Sequence, residues 1–252
     1  MPATPAWPPA STPRLYVDLP LVEQGQIALS GNQAHYLISV LRTKAGDPVR
    51  LFDGKTGEWL GVVAHVGKRD MVVDVTAKLA ERERVPDLWL LTAPIKKGRI
   101  DWIYEKACEL GVARIVPILT HRTVVDKINP DRLRSHLIEA AEQCGRTALP
   151  ELAGLTKLGT LLRTWPEDRV LVFADETGGI PMPEAVASGP AAILIGPEGG
   201  FTDEERVMIR ALPAARGVSL GPRVLRADTA AITAISLWMA LAGDWGSDTP
   251  AG

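Results

Sequence analysis

Two glycine-proline corners hold the residues of this 252-residue chain that are best placed to do chemistry together. The first is Gly196-Pro197-Glu198-Gly199-Gly200, directly after the apolar run Ala191–Ile195. The second is Gly221-Pro222, directly after Val218–Leu220 and shortly before Arg226 and Asp228. Glycine lets backbone approach a ligand closely, and two such turns at the carboxyl ends of strands make a pocket of backbone N–H groups. The usual nucleotide loops are absent. Gly54-Lys55-Thr56 looks like the end of a P-loop, but Val49 stands where the first glycine must be, and no G-x-G-x-x-G follows a strand. His35, His65, His121 and His136 are too dispersed for a metal cluster, and Ser219 and Ser236 lack the G-x-S-x-G elbow of a hydrolase. A glycine-lined pocket with neither metal nor nucleophile suits a cofactor that brings its own reactive group.

The elements that must position these corners follow from the apolar pattern. Thr202 and Glu205 have capping-box spacing, so the first corner feeds a helix, and Asp228 can cap an apolar helix from Thr229 to about Leu241. That last helix is either core or a dimer seam. Leu88–Ala93, Ala113–Leu119 and Val170–Ala174 read as buried strands. Between them, Ile100, Ile103, Tyr104, Ala107 and Leu110 mark one helix ending at Gly111, and Leu133, Leu137, Ala141 and Cys144 mark another over Arg132–Gly145. Strands alternating with helices of this length predict a parallel sheet covered on both faces.

The amino-terminal part has a different period. Short alternating segments at Leu15–Leu19, Gln26–Leu29, Pro48–Phe52, Trp59–Val66 and Met71–Ala77, separated by glycines, predict a small β-barrel over residues 14–80. One helix interrupts it, with Ser30 and Gln33 at capping-box spacing and an apolar stripe of Leu37, Val40 and Leu41 that leaves His35 and Arg42 for other duties. Residues 81–86, charged and ending in Pro86, read as a linker to a second domain over 87–245. Met1–Pro13, with five prolines, and residues 246–252 read as tails.

The formal net charge of −2 excludes binding of nucleic acid by bulk positive charge, so any such contact needs a local basic patch. Cys108 and Cys144 are the only cysteines and fall on apolar helix faces, which favours reduced thiols and a cytoplasmic setting. No apolar helix reaches the roughly 20 residues needed to span a bilayer, and no leader-like segment opens the sequence.

Taken together, IGPEGGFTDEE (Ile195–Glu205), SLGPRVLRADTAA (Ser219–Ala231), KKGRIDWIYEKACELGV (Lys96–Val112), EAAEQCGR (Glu139–Arg146) and HYLISVLR (His35–Arg42) make the chain from about residue 14 to 242 resemble the RsmE family of 16S ribosomal RNA uridine N(3)-methyltransferases. The resemblance implies an α/β fold: a PUA-like β-barrel followed by a SPOUT-class methyltransferase domain with a parallel sheet, whose carboxyl end threads a trefoil knot. It also implies a homodimer that uses S-adenosylmethionine, no metal, and 16S rRNA or the small ribosomal subunit as partner. On this resemblance, Ile195, Gly196, Gly200, Leu220, Gly221 and Leu225 bind the cofactor, with loops after Ala174, Ile195 and Leu220 enclosing it.

The reaction it implies is methylation of N3 of an unpaired uracil. Arg226 is then the first choice for the catalytic residue, by holding the base or a phosphate and favouring the uracil anion. Asp228 is either a helix cap or a catalytic carboxylate, and Glu198 is the other nearby acid. Lys96, Lys97, Arg99, Arg122 and Arg146, with His35 and Arg42 of the barrel, form the expected RNA track. Where the family carries R-T-E-T, this chain has Ala227 and Asp228, which keeps open a non-catalytic RNA-binding or assembly protein of the same fold, or a methyltransferase of another RNA.

Overall fold

A computed structural model describes residues 11–96 and 98–246, so most of both expected tails, and Lys97, lie outside the described residues. The chain forms two compact units. One takes the described residues up to Arg84 together with Glu142–Ala148, and the other takes Val85–Ala141 and the chain from Leu149 onward.

In the first unit, β1 (Arg14–Tyr16), β2 (Gln26–Ser30), β3 (Pro48–Phe52), β4 (Glu58–Val66) and β5 (Asp70–Ala80) pair in the order β1-β3-β4-β5-β2, a half-barrel with β1 and β2 at its ends. Alternation drives it: Met71, Val73 and Val75 of β5 are buried while Val72 and Asp74 are not, and they join Leu29, Val49, Leu51 and Val63 in one core. Three register shifts between β4 and β5 add local bend and twist, which is how a short sheet curls.

The helical segment departs from the expectation. The helix α1 (Gly31–His35) runs straight into a π-helical turn, Tyr36–Val40, where the Leu41 amide donates to the Tyr36 carbonyl five residues back. The wider turn keeps Leu37 buried but swings Val40 and Leu41 out to 60% and 41% exposure. Nor does Gln33 close a capping box: its side-chain amide donates to the Tyr16 carbonyl at 2.6 Å.

Segment Glu142–Ala148, which the sequence reading leaves within the second domain, is tied into the first unit. Glu83 Oε1 accepts from the amides of Thr147 and Ala148 at 2.9 and 2.8 Å, and the Glu83 amide donates to Thr147 Oγ1. Arg14 donates to the carbonyls of Gly145 and Arg146, and the Tyr16 amide to Glu142.

The second unit is a parallel sheet. Its elements are β6 (Leu88–Thr92), α2 (Arg99–Glu109), β7 (Arg114–Leu119), α3 (Pro130–Cys144), β8 (Glu151–Leu152), β9 (Thr156–Lys157), α4 (Leu158–Arg163), β10 (Val170–Ala174), β11 (Ile180–Pro181), α5 (Met182–Ala185), β12 (Ala191–Ile195), α6 (Asp203–Arg210), β13 (Ala215–Ser219) and α7 (Ala227–Ala242). The order is β11-β13-β10-β12-β6-β7-β8, with β9 beside β7. Both faces are covered. Leu91, Ala192, Leu194 and Phe173 pack with Leu158, Leu162 and Ile209 of α4 and α6, while α7 packs on β12 and α2. Helix α7 presents Ala231, Ala234, Ile235, Trp238 and Met239 to the core, so most of it is core rather than seam, with Leu237 and Leu241 left outside. Cys108 is buried, but Cys144 is exposed at the last turn of α3, against the expectation of two core thiols. No helix among the described residues is long and apolar enough to cross a membrane.

Candidate active site

Strands β13, β10 and β12 lie side by side and run parallel, which brings their carboxyl ends at Ser219, Ala174 and Ile195 together. The loops leaving them line one cavity of about 370 Å³. All six residues expected to hold a cofactor, Ile195, Gly196, Gly200, Leu220, Gly221 and Leu225, line it, as do Glu198 and Arg226. Its volume lies within the range of about 300–1,000 Å³ usual for small-ligand pockets.

The first corner is held by packing. Gly200, at φ +67°, turns its amide back to the Pro197 carbonyl, and a side chain on Gly196 would press on the Phe201 ring at 3.1 Å. Beyond it the expected capping box forms: Thr202 Oγ1 accepts from the Glu205 amide at 3.2 Å and the Thr202 amide donates to Glu205 at 2.9 Å. The second oxygen of Glu205 accepts from the His121 amide, and Arg122 donates to the Gly199 carbonyl at 2.7 Å. The turn is thereby fixed to the β7 exit.

The second corner is loose by comparison. Gly221, at φ +116°, has open space where a side chain would go, and its amide reaches Ser219 Oγ at 3.3 Å. Val224 is 85% exposed, and Arg223 and Arg226 are exposed with it. Arg226 is itself the residue before the first turn of α7, and among the described residues its guanidinium takes no ion pair.

The third wall, at the β10 exit, carries residues the sequence reading did not name. Asp175 is buried and bonded to Arg210, with Thr177 Oγ1 at 2.7 Å and Arg206 at 3.9 Å. Burial alone would raise its pKa, but the hydrogen bonds from Thr177 and Arg210 outweigh that and hold the carboxyl below its ordinary value. Its neighbour Glu176 lies against Gly200 and pairs with Arg206 at 2.5 Å. The only signal for this wall was Asp175-Glu176-Thr177 straight after an apolar strand.

Asp228 corrects an expectation. Helix α7 starts at Ala227, not Thr229, so Asp228 is inside the first turn and does not precede the helix. Ala227 and Ala230 line the cavity; Asp228, turned about 100° from Ala227 by helical geometry, is not among the described lining residues. Its carboxylate accepts from the Thr229 amide at 2.9 Å and faces Arg99 Nε at 3.7 Å.

The basic residues divide. Lys96 and Arg122 are exposed, and Arg99 is half-buried beside Asp228. Arg146, also expected on the RNA track, is 4% exposed with Glu83 at 3.4 Å and so presents little surface to a ligand. In the first unit His35 and Arg42 are exposed, Arg42 at φ +56°. A second cavity there, about 260 Å³, is lined by His35, Ser39, Lys68 and Arg69 among others. Lys68 and Arg69 form the β4–β5 turn and escaped the sequence reading because a two-residue basic turn has no periodic signal. Among the described residues no cluster of metal-binding side chains occurs.

Residues 81–239 match the model of an RNA methyltransferase domain, and residues 29–76 that of an RNA methyltransferase PUA domain. The chain is 31% identical over 229 residues to ribosomal RNA small subunit methyltransferase E of Rickettsia conorii, covering 88% of this chain and 93% of that protein. It is 32% identical to the protein of the same name from Synechocystis, over 88% and 76% of the two chains. Among solved structures, a Legionella pneumophila methyltransferase with bound S-adenosylmethionine superposes at TM-score 0.84 with 32% identity over 92% of this chain and 99% of that one. The Neisseria gonorrhoeae ribosomal RNA small subunit methyltransferase E bound to S-adenosylmethionine superposes at 0.85 with 25% identity, over 93% and 99%.

Proposed function

The chain belongs to the ribosomal RNA small subunit methyltransferase E family, and from that premise we propose that it is an S-adenosylmethionine-dependent methyltransferase of 16S ribosomal RNA acting on N3 of a uridine. The observation that carries this reading is the convergence of Gly196, Gly200, Gly221 and Arg226 on one cavity. The cavity fits the group. Its glycines give close backbone approach, Ile195, Leu220 and Leu225 offer apolar cover for an adenine, and three carboxylates on its walls, Asp175, Glu176 and Glu198, can meet polar donors. When bound, S-adenosylmethionine supplies an electrophilic methyl group.

The residues of the chain do the rest. Uracil N3 carries a proton and lies on the pairing edge, so the base must be unpaired and that proton must leave. Arg226 at the open corner holds the base or its phosphate and stabilises the anion left behind. Glu198, an exposed carboxylate on the same cavity, is better placed than Asp228 to take the proton. Asp228 instead orients Arg99. Lys96, Arg99 and Arg122 contact the RNA backbone from the second unit, and His35, Arg42, Lys68 and Arg69 from the first. In the strand order β13-β10-β12-β6, β12 enters between two earlier strands and β13 then lies outside β10, which supports the knotted threading. Leu237 and Leu241 of α7, with Trp245 just beyond, are exposed four residues apart and supply an apolar strip for a second copy of the chain. A cytoplasmic address follows from the substrate.

Two measurements test the proposal. Isothermal titration with S-adenosylmethionine must give a binding heat, and its absence would leave an RNA-holding protein of the same fold. Mass spectrometry of 16S rRNA from a deletion strain must show one N3-methyluridine missing; a loss from another RNA instead would reassign the substrate.

A further inference from the structure

Gly200 leaves a gap that Glu176 fills. A side chain on Gly200 would start 2.4 Å from Glu176 Oε1, so the carboxylate occupies the space the glycine vacates. Arg206 Nη2 holds that same oxygen at 2.5 Å, and Arg206 is itself buried and braced by Asp203 at 3.3 Å and Asp175 at 3.9 Å. Among the described residues the other oxygen of Glu176 makes no hydrogen bond, its side chain is 45% exposed, and the residue lines the methyl-donor cavity. A carboxylate with one oxygen anchored keeps the lone pairs of the other for a ligand.

S-adenosylmethionine presents two kinds of donor that match such an acceptor, the ribose hydroxyls and the α-ammonium. We propose that Glu176 accepts a hydrogen bond from one of these groups and that Arg206 is the positioning residue that aims it. This rests on the cavity being the methyl-donor site. Its chemistry is that of an acidic side chain reading a nucleoside ribose or an amine, here on the exit of a SPOUT-type strand.

Binding of three ligands by isothermal titration tests it: S-adenosylmethionine, its 2′-deoxy analogue and the analogue without the α-amino group. Glu176→Ala is expected to weaken S-adenosylmethionine by roughly tenfold, the size of a lost charge-assisted hydrogen bond. It must also abolish the preference of the unaltered protein for S-adenosylmethionine over one of the two analogues. Loss of the 2′-deoxy discrimination assigns the ribose, and loss of the other assigns the ammonium. Arg206→Lys, which keeps the charge but not the planar fork, should lose part of the same preference. Should Glu176→Ala fold poorly, Glu176→Gln keeps the shape without the charge and must shrink the same preference. If the variants keep both preferences at full size, the proposal is overturned while the cavity's assignment stands. If the unaltered protein binds none of the three, the cavity's assignment falls and the proposal with it.

Discussion

The two glycine-proline corners share a dipeptide and a cavity but not a mechanical character. The first is pinned on three sides, by Phe201 beneath Gly196, by Arg122 on the Gly199 carbonyl and by Glu176 in the gap at Gly200. The second stands in solvent, with Gly221, Arg223 and Val224 exposed and one weak amide contact to Ser219. The residues just downstream of each corner make the difference. Phe201 and the Thr202–Glu205 capping box bind the first to the core and a helix, whereas Pro222–Leu225 brings no large side chain into the core. One site thus has a rigid wall that shapes a small molecule and an open wall that can meet a large, variable one.

That contrast can be broken from either side. Arg226→Ala, on the open wall, should lower turnover about 10²- to 10³-fold, as loss of a transition-state donor does, with cofactor affinity within a few fold. A large loss of affinity in titration would instead make Arg226 part of the cofactor wall. Gly200→Val should cost at least roughly tenfold in S-adenosylmethionine binding, because it combines strain of about 1–3 kcal/mol at φ +67° with a collision at Glu176. Gly221→Ala has the same kind of backbone strain but open space, so it should lose much less; equal losses would erase the distinction between the corners.

Asp175 sharpens the picture by pH. Its folded pKa is depressed below the ordinary 3.8, so the stability it contributes is present above that value and drains away as pH falls through the folded one. Thermal melts from pH 5 downward should therefore fall less steeply in Asp175→Asn than in the unaltered protein, and parallel curves would discount the Arg210 contact. The smallest effect is expected from Lys96→Glu. The logarithmic salt slope of RNA binding should shrink by about one unit, and an unchanged slope would leave Lys96 facing solvent.

Much of this was legible in the sequence because it is periodic or local. The strands Val170–Ala174 and Ala191–Ile195 and the Thr202–Glu205 box appear at the residues expected. The resemblance placed six residues that the structure gathers around one cavity. What was hidden depends on partners distant in the chain. Ser30 and Gln33 have the spacing of a cap, but the Tyr16 carbonyl captures Gln33. Arg146 has the charge of an RNA contact, but it is 4% exposed and faces Glu83, far back in the chain, at 3.4 Å. The last helix begins at Ala227, two residues before the expected Thr229, and Asp228 within its first turn faces Arg99.

The return of Glu142–Ala148 to the amino-terminal unit has a consequence for how the molecule is made. A fragment ending at Arg84 would lack the amides that satisfy Glu83, the carbonyls that receive Arg14 and the carboxylate that receives the Tyr16 amide. Its native form is completed only once residue 148 has left the ribosome, after β6, α2, β7 and α3 have already emerged. The amino-terminal unit therefore cannot be finished before much of the second unit's chain has emerged.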